Sequence, residues 1–163
     1  MKSLLHIFTS QRMACVILLG FSSGLPLGLT GGTLQAWMAS EKVDLTIIGV
    51  FALVGLPYTL KFLWAPFMDR YVPPFLGRRR GWMLATQFLL AVFIAAMGFI
   101  NPVTNPALMA LVALFVAFFS ASQDIVIDAY RTEILDKEEL GIGAANYIMG
   151  YRYTGDAGTT INL

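Results

Sequence analysis

The chain has 163 residues, of which 57% are hydrophobic and only 13% charged, with a formal net charge of +1. Soluble domains carry about 25% charged residues; here the charges form short islands between apolar stretches of about 20 residues, the length that crosses a hydrocarbon core of roughly 30 Å. A water-soluble globular domain is excluded, and so is a nucleic-acid-binding module, because the basic residues flank apolar runs and form no domain of their own.

Residues 1–12 read as a short polar N-terminus containing Lys2, His6 and Arg12. His6 has no Cys, Asp or Glu cluster around it, so no metal site and no cofactor is expected. The lone Cys15 lies in an apolar run and reads as a packing residue. The first predicted span, residues 13–38, is too long for the apolar core of a secretory signal and is followed by further spans, so it reads as an uncleaved helix. Its second half is rich in small and polar residues. A loop over residues 39–46 carries Glu41, Lys42 and Asp44. The second predicted span, residues 47–68, contains Pro57 and Lys61. The island DRYVPPFLGRRR, residues 69–80, is a polar loop. A third span is predicted over residues 81–100, and NPVTNP, residues 101–106, is an uncharged turn whose prolines prevent helix continuation. The fourth span, residues 107–130, ends in RTEILDKEEL. A fifth begins near Gly141 but turns polar after about ten residues, and residues 154–163 read as a divergent polar tail that cannot complete a lipid-facing helix.

The basic residues orient this array. Lys2, Arg12, Arg70, Arg78, Arg79, Arg80, Arg131 and Lys137 fall on one side, whereas the opposite loops contribute Lys42 alone. The positive-inside rule then places the N-terminus and the loops after spans two and four in the cytoplasm.

Several residues stand out against this background. Gly20, Gly24, Gly28 and Gly32 recur every four positions and so lie near one helix face, where they let another backbone approach. Thr30, Thr33, Gln35 and Trp37 gather toward the outer end of the same span. They are uncharged hydrogen-bonding groups with an aromatic face, suited to a sugar, although Trp37 reads equally well as an interfacial anchor. Lys61, Asp124 and Asp128 are charges inside apolar spans; facing lipid, each costs about 2.5–3.5 kcal/mol. Asp124 and Asp128 share a face of span four. Lys61 and Asp124 both sit roughly 10–12 Å in from the cytoplasmic end, at 1.5 Å per residue, a depth that permits pairing. A structural ion pair and a substrate-contacting or protonatable site both fit, and Asp128 fits an interface charge as well. Two intramembrane aspartates also invite comparison with aspartyl intramembrane proteases, but both lie on one helix and no Gly-x-Gly-Asp setting is present, so no enzyme is expected.

The segment from Ala65 through Asp69 and Arg70 to Gly77, Arg78, Arg79 and Arg80 resembles the loop between helices two and three of major facilitator transporters, G-x-x-x-D-R-x-G-R-R, with Ala65 in place of the first glycine and six residues between Arg70 and Gly77. Together with GFSSGLPLGLTGGTLQAWM, KFLWAPFMDRYVPPFLGRRRGW, SQDIVIDAYRTEIL and GAANYIMGYR, it makes the chain up to about Tyr153 similar to the AmpG-type muropeptide permeases, a branch of that superfamily. The Gln-Asp-x-x-x-Asp segment also resembles acetyl-coenzyme A transporters. The resemblance implies an all-α, polytopic transmembrane bundle forming part of an N-terminal transporter half. It implies a bacterial inner-membrane permease that imports anhydro-muropeptides from periplasm to cytoplasm for peptidoglycan recycling, with proton coupling and consequences for β-lactamase induction. Alternating access in such a fold needs a second half, so the expected partners are the lipid bilayer, the muropeptide, protons and the absent C-terminal half. With resemblance and apolarity both ending near Tyr153, a truncated chain, inactive alone, is the expectation. An acetyl-coenzyme A-type transporter and a non-transporting membrane remnant are the alternatives.

Overall fold

The computed structural model describes residues 11–41, 49, 51–71, 74 and 77–160, with side chains described for these except Ala52 and residues 155–160. Lys2, His6, Lys42 and Asp44 lie outside the described residues. The elements are helices: α1 (Gln11–Gly28), a π-helical turn (Leu29–Thr33), α2 (Leu34–Ser40), a 3₁₀ turn (Ala52–Gly55), α3 (Leu56–Leu60), a second 3₁₀ turn (Lys61–Leu63), α4 (Ala65–Arg70), α5 (Arg78–Gly98), α6 (Pro106–Ile134) and α7 (Leu140–Thr160). The chain is an all-α transmembrane bundle.

Three of the described helices are long and apolar enough to cross a membrane: the continuous Gln11–Ser40, α5 and α6. The second predicted span departs from expectation. It is not one regular helix but a run of short pieces, and each 3₁₀ turn falls just before a proline. Pro57 and Pro66 lack the N–H for an i→i−4 bond, and their rings crowd the carbonyls one turn back, so the backbone tightens ahead of both. The fifth segment departs in the other direction. α7 is helical over Leu140–Thr160, well past the predicted ten residues. At the point where the sequence turns polar, Thr154 is buried, and its hydroxyl donates to the Tyr151 carbonyl of its own helix at 2.9 Å.

α6 is the centre of the bundle, with buried residues from Met109 to Ile127; α5 lies against it, and α1 packs on both α6 and α7. Two apolar clusters close the ends. Leu34, Met38, Phe51, Val54, Met109, Ala113 and Ala117 form one; Met13, Val16 and Leu135, with Ile134, Ile142 and Tyr147 against them, form the other. Large side chains such as Leu18, Phe21, Phe62, Leu63, Phe88 and Phe115 point outward, as a lipid-facing surface requires.

The α1–α7 contact is backbone to backbone. A Cβ on Gly20 would collide with the Tyr147 carbonyl, one on Gly24 with the Thr154 hydroxyl, and one on Gly150 of α7 with the Ile17 carbonyl. Glycine is required at these positions because the helices approach more closely than any side chain allows. Gly28 and Gly32, on the same stripe, are half-buried.

The loop after α4 is a charge clamp. Arg79 donates to Asp69 at 2.6 Å and to Glu133 of α6 at 2.9 Å. Arg78 reaches Glu133 at 3.9 Å and the Asp69 carbonyl at 3.4 Å. Gly77, at φ +80°, turns the chain into α5 in a conformation that favours glycine, and the Trp82 indole donates to the Tyr71 carbonyl at 2.8 Å. Arg70 and Arg80 are exposed and form no ion pair among the described residues. A second surface pair, Arg12 to Asp136 at 3.4 Å, is more exposed at both ends.

This packing makes two predictions. Gly20→Val lowers thermal stability in detergent by about 1–3 kcal/mol through overpacking, whereas Gly31→Ala, where an added Cβ meets open space, is neutral or mildly stabilising. In double-mutant cycles read by thermal melts, Asp69 and Arg79 couple by about 1 kcal/mol, while Arg12 and Asp136 couple by less than about 0.5 kcal/mol, because Arg79 is largely shielded and doubly paired.

Candidate functional site

Between the two apolar clusters runs a polar seam, built by α1, α6 and α7 with contributions from α3 and α5. Asp124 is buried on α6 and accepts a hydrogen bond from the Ser23 hydroxyl of α1. Ser23 in turn accepts from the Tyr147 hydroxyl of α7 at 3.0 Å. This clasp exists because Gly20 and Gly24, either side of Ser23, bring α7 close enough for Tyr147 to reach it. One residue before Asp124, the buried Gln123 amide donates to Gln87 of α5 at 2.7 Å and to Ser22 at 3.4 Å, and Ser22 donates to Gln87 at 3.3 Å. The Trp64 indole donates to Ser122 at 3.1 Å. α6 thus presents Ser122, Gln123 and Asp124 to three different neighbours within a single turn.

Toward the end of α6, Lys61 pairs with Asp128 at 3.8 Å and Arg131 with the same carboxylate at 3.5 Å. The guanidinium of Arg131 lies 4.8 Å from the centre of the Tyr147 ring, a cation–π contact. Depth permitted Lys61 to pair with Asp124; the ammonium instead meets Asp128, one turn further along α6, and Asp124 accepts from the Ser23 hydroxyl. Asp128 is therefore a shared anion and not a bare interface charge.

The cluster expected to hold a sugar is divided. Thr30 and Gln35 line a pocket of about 110 Å³ with Leu27, Gly31, Phe51, Val54, Gly55 and Tyr58. Thr33 and Trp37 lie on another face, around a largely apolar pocket of about 180 Å³ closed by Ile94, Met97 and Gly98 of α5. The four residues cannot share one face, since Thr30 and Thr33 sit in the π-helical turn, whose wider winding shifts the register of α2 beyond it. Thr30 is buried and donates to the Pro26 carbonyl at 2.8 Å. Tyr58 brings its hydroxyl beside Ser120 and Thr30, and both the Tyr58 and Ser120 hydroxyls are buried without a hydrogen bond among the described residues.

Sequence reasoning passed over Ser23, Tyr147, Gln87, Gln123 and Tyr58. A signal for Ser23 was present: it lies three residues after Gly20 and beside Gly24, on the close-packed stripe. Gln123 was adjacent to Asp124, which the apolar setting of span four had marked.

The chain is similar to proteins named as transporters. A family model described as "Acetyl-coenzyme A transporter 1" matches residues 12–155. A protein of Escherichia coli K12 named "Anhydromuropeptide permease" is 61% identical over 148 residues, covering 91% of this chain and 30% of that protein. A Haemophilus influenzae protein is 47% identical, over 92% of this chain and 35% of its own length. A Rickettsia bellii protein with the name AmpG 1 is 38% identical, over 88% and 36%. The chain spans about a third of the length of these curated relatives. With a membrane-spanning helical bundle and a family match over most of its length, the chain belongs to the acetyl-coenzyme A transporter 1 family and is similar, within it, to the AmpG-type muropeptide permeases.

Proposed function

We propose that this chain contributes part of the N-terminal half of a bacterial inner-membrane permease that imports anhydro-muropeptides for peptidoglycan recycling, coupled to protons. The observation that carries the reading is the clasped carboxylate: Asp124, buried in a membrane-spanning helix, accepts from the Ser23 hydroxyl of α1, which accepts in turn from Tyr147 of α7, and forms no ion pair among the described residues. Intramembrane carboxylates set inside a bundle mark substrate and proton pathways. A group held by neutral donors is free to take and release a proton without breaking an ion pair. The similarity to a protein named for anhydromuropeptide transport supplies the substrate class. The pocket beside Thr30, Gln35 and Tyr58, about 110 Å³, is smaller than the roughly 300–1,000 Å³ of complete ligand sites. In this reading it is one wall of a site whose other wall comes from the C-terminal half of the transporter. The family description favours a second reading, acetyl-coenzyme A as cargo.

In a full-length protein carrying this sequence, Asp124→Asn accumulates normally but loses uptake of labelled anhydro-muropeptide driven by a pH gradient, while exchange of external for internal substrate persists. Undiminished gradient-driven uptake in that variant removes the proton role. Uptake of acetyl-coenzyme A and not of muropeptide by the unaltered protein removes the substrate assignment.

The basic residues place the N-terminus in the cytoplasm in this reading. With Cys15 replaced by serine, a cysteine at Asn101 reacts with an impermeant maleimide from the periplasmic side, and one at Lys137 reacts only after the membrane is opened. The reverse pattern overturns the orientation.

A further inference from the structure

At the end of the seam, two cations share one carboxylate at ion-pair distance. Lys61, carried by the 3₁₀ turn ahead of Pro66, and Arg131, near the end of α6, converge on the single carboxylate of Asp128 at 3.8 and 3.5 Å. Both separations exceed the roughly 2.7–2.9 Å of a tight charge-assisted hydrogen bond. Asp124, one turn inward, accepts from Ser23 and lies within the field of Lys61 without an ion pair among the described residues; Glu133, five residues further along α6, is held by Arg78 and Arg79. The guanidinium of Arg131 rests on the Tyr147 ring, which fixes its plane and leaves donors of its five N–H groups unused. The side chains of Lys61 and Asp128 are 36% and 44% exposed. A cation within membrane-spanning segments is tolerated where it meets water or a counter-ion.

We propose that Lys61 and Arg131 form a receiving site for an anionic group of the ligand, a carboxylate or a phosphate, which enters between them and loosens the shared Asp128. This rests on the permease reading above and names the part of the substrate that the site holds. Stem-peptide carboxylates of a muropeptide and the phosphates of acetyl-coenzyme A offer the same chemistry, so the test separates them.

Calorimetry on a full-length protein carrying this sequence, in nanodiscs, compares two matched pairs: an anhydro-muropeptide with free carboxylates against its methyl ester, and acetyl-coenzyme A against uncharged acetyl-pantetheine. The unaltered protein binds the free acid about tenfold or more tightly than the ester, the size expected of a hydrogen bond to a charged group. Lys61→Gln and Arg131→Gln each abolish most of that preference while leaving ester affinity intact, which also reports correct folding, and Lys61→Arg retains it. An unchanged preference in both glutamine variants overturns the site. So does an equal loss for acid and ester, and so does the absence of charge-dependent binding by the unaltered protein in both pairs. A preference confined to acetyl-coenzyme A and lost in the glutamine variants keeps the anion site and sinks the muropeptide assignment instead.

Discussion

Hydrocarbon offers a polar group nothing to bond to, so every donor, acceptor and charge inside the spans has to be met by the protein itself or by water the protein admits. In this chain that constraint is met at Asp124. Its carboxylate is bonded by Ser23, and Ser23 by Tyr147, so that one acidic residue ties together α1, α6 and α7. The tie depends on spacing: Tyr147 reaches Ser23 because Gly20 and Gly24 present no Cβ to the α7 backbone. The glycine stripe and the buried charge are thus one device, in which close packing supplies the hydroxyls that make a carboxylate tolerable at that depth.

The same logic organises the rest of α6. Its apolar ends are buried in clusters with α2 and with α1, and its polar residues are confined to the layer between them. Gln123 donates hydrogen bonds to Ser22 and Gln87, and Ser122 receives the Trp64 indole. Unlike an apolar interface, such bonds fix rotation and register between helices. The second segment, broken ahead of Pro57 and Pro66, is too irregular to pack as a rigid rod. Its irregularity carries Lys61 to Asp128 and Trp64 to Ser122, both on α6.

The fold class, the apolar segments and the basic loop were legible in the sequence, because they depend on composition over many residues and on one glycine with a constrained backbone at Gly77. The clamp of Asp69, Arg79 and Glu133 was legible in part: the arginines and Asp69 were marked, but Glu133 was not, since its role depends on where α6 ends relative to α5. What escaped was whatever depends on rotation about a helix axis. The π-helical turn at Leu29–Thr33 separates Thr30 and Gln35 from Thr33 and Trp37, and no regular period foretells it. Depth along the membrane put Lys61 level with Asp124, yet the 3₁₀ winding before Pro66 delivered it to Asp128. Hydropathy stopped α7 too early because it scores side chains as though they all faced lipid, whereas Thr154 faces α1 and is satisfied within its own helix.

The contacts differ in how much motion they permit. The loop clamp is short and doubled, with Arg79 at 2.6 Å from Asp69 and 2.9 Å from Glu133, and it binds the ends of α4, α5 and α6 as one body. The Lys61–Asp128–Arg131 cluster is long, shared and partly exposed. Between them lies the Asp124 clasp, buried and made of neutral donors. The contacts thus grade from tight, where the loop holds three helix ends together, to loose, where the paired side chains are partly exposed. The exposed apolar faces add the complementary requirement: a surface covered with Leu18, Phe62 and Phe88 is stable only against lipid or other helices, so the polar side chains are gathered into the seam between α1, α6 and α7.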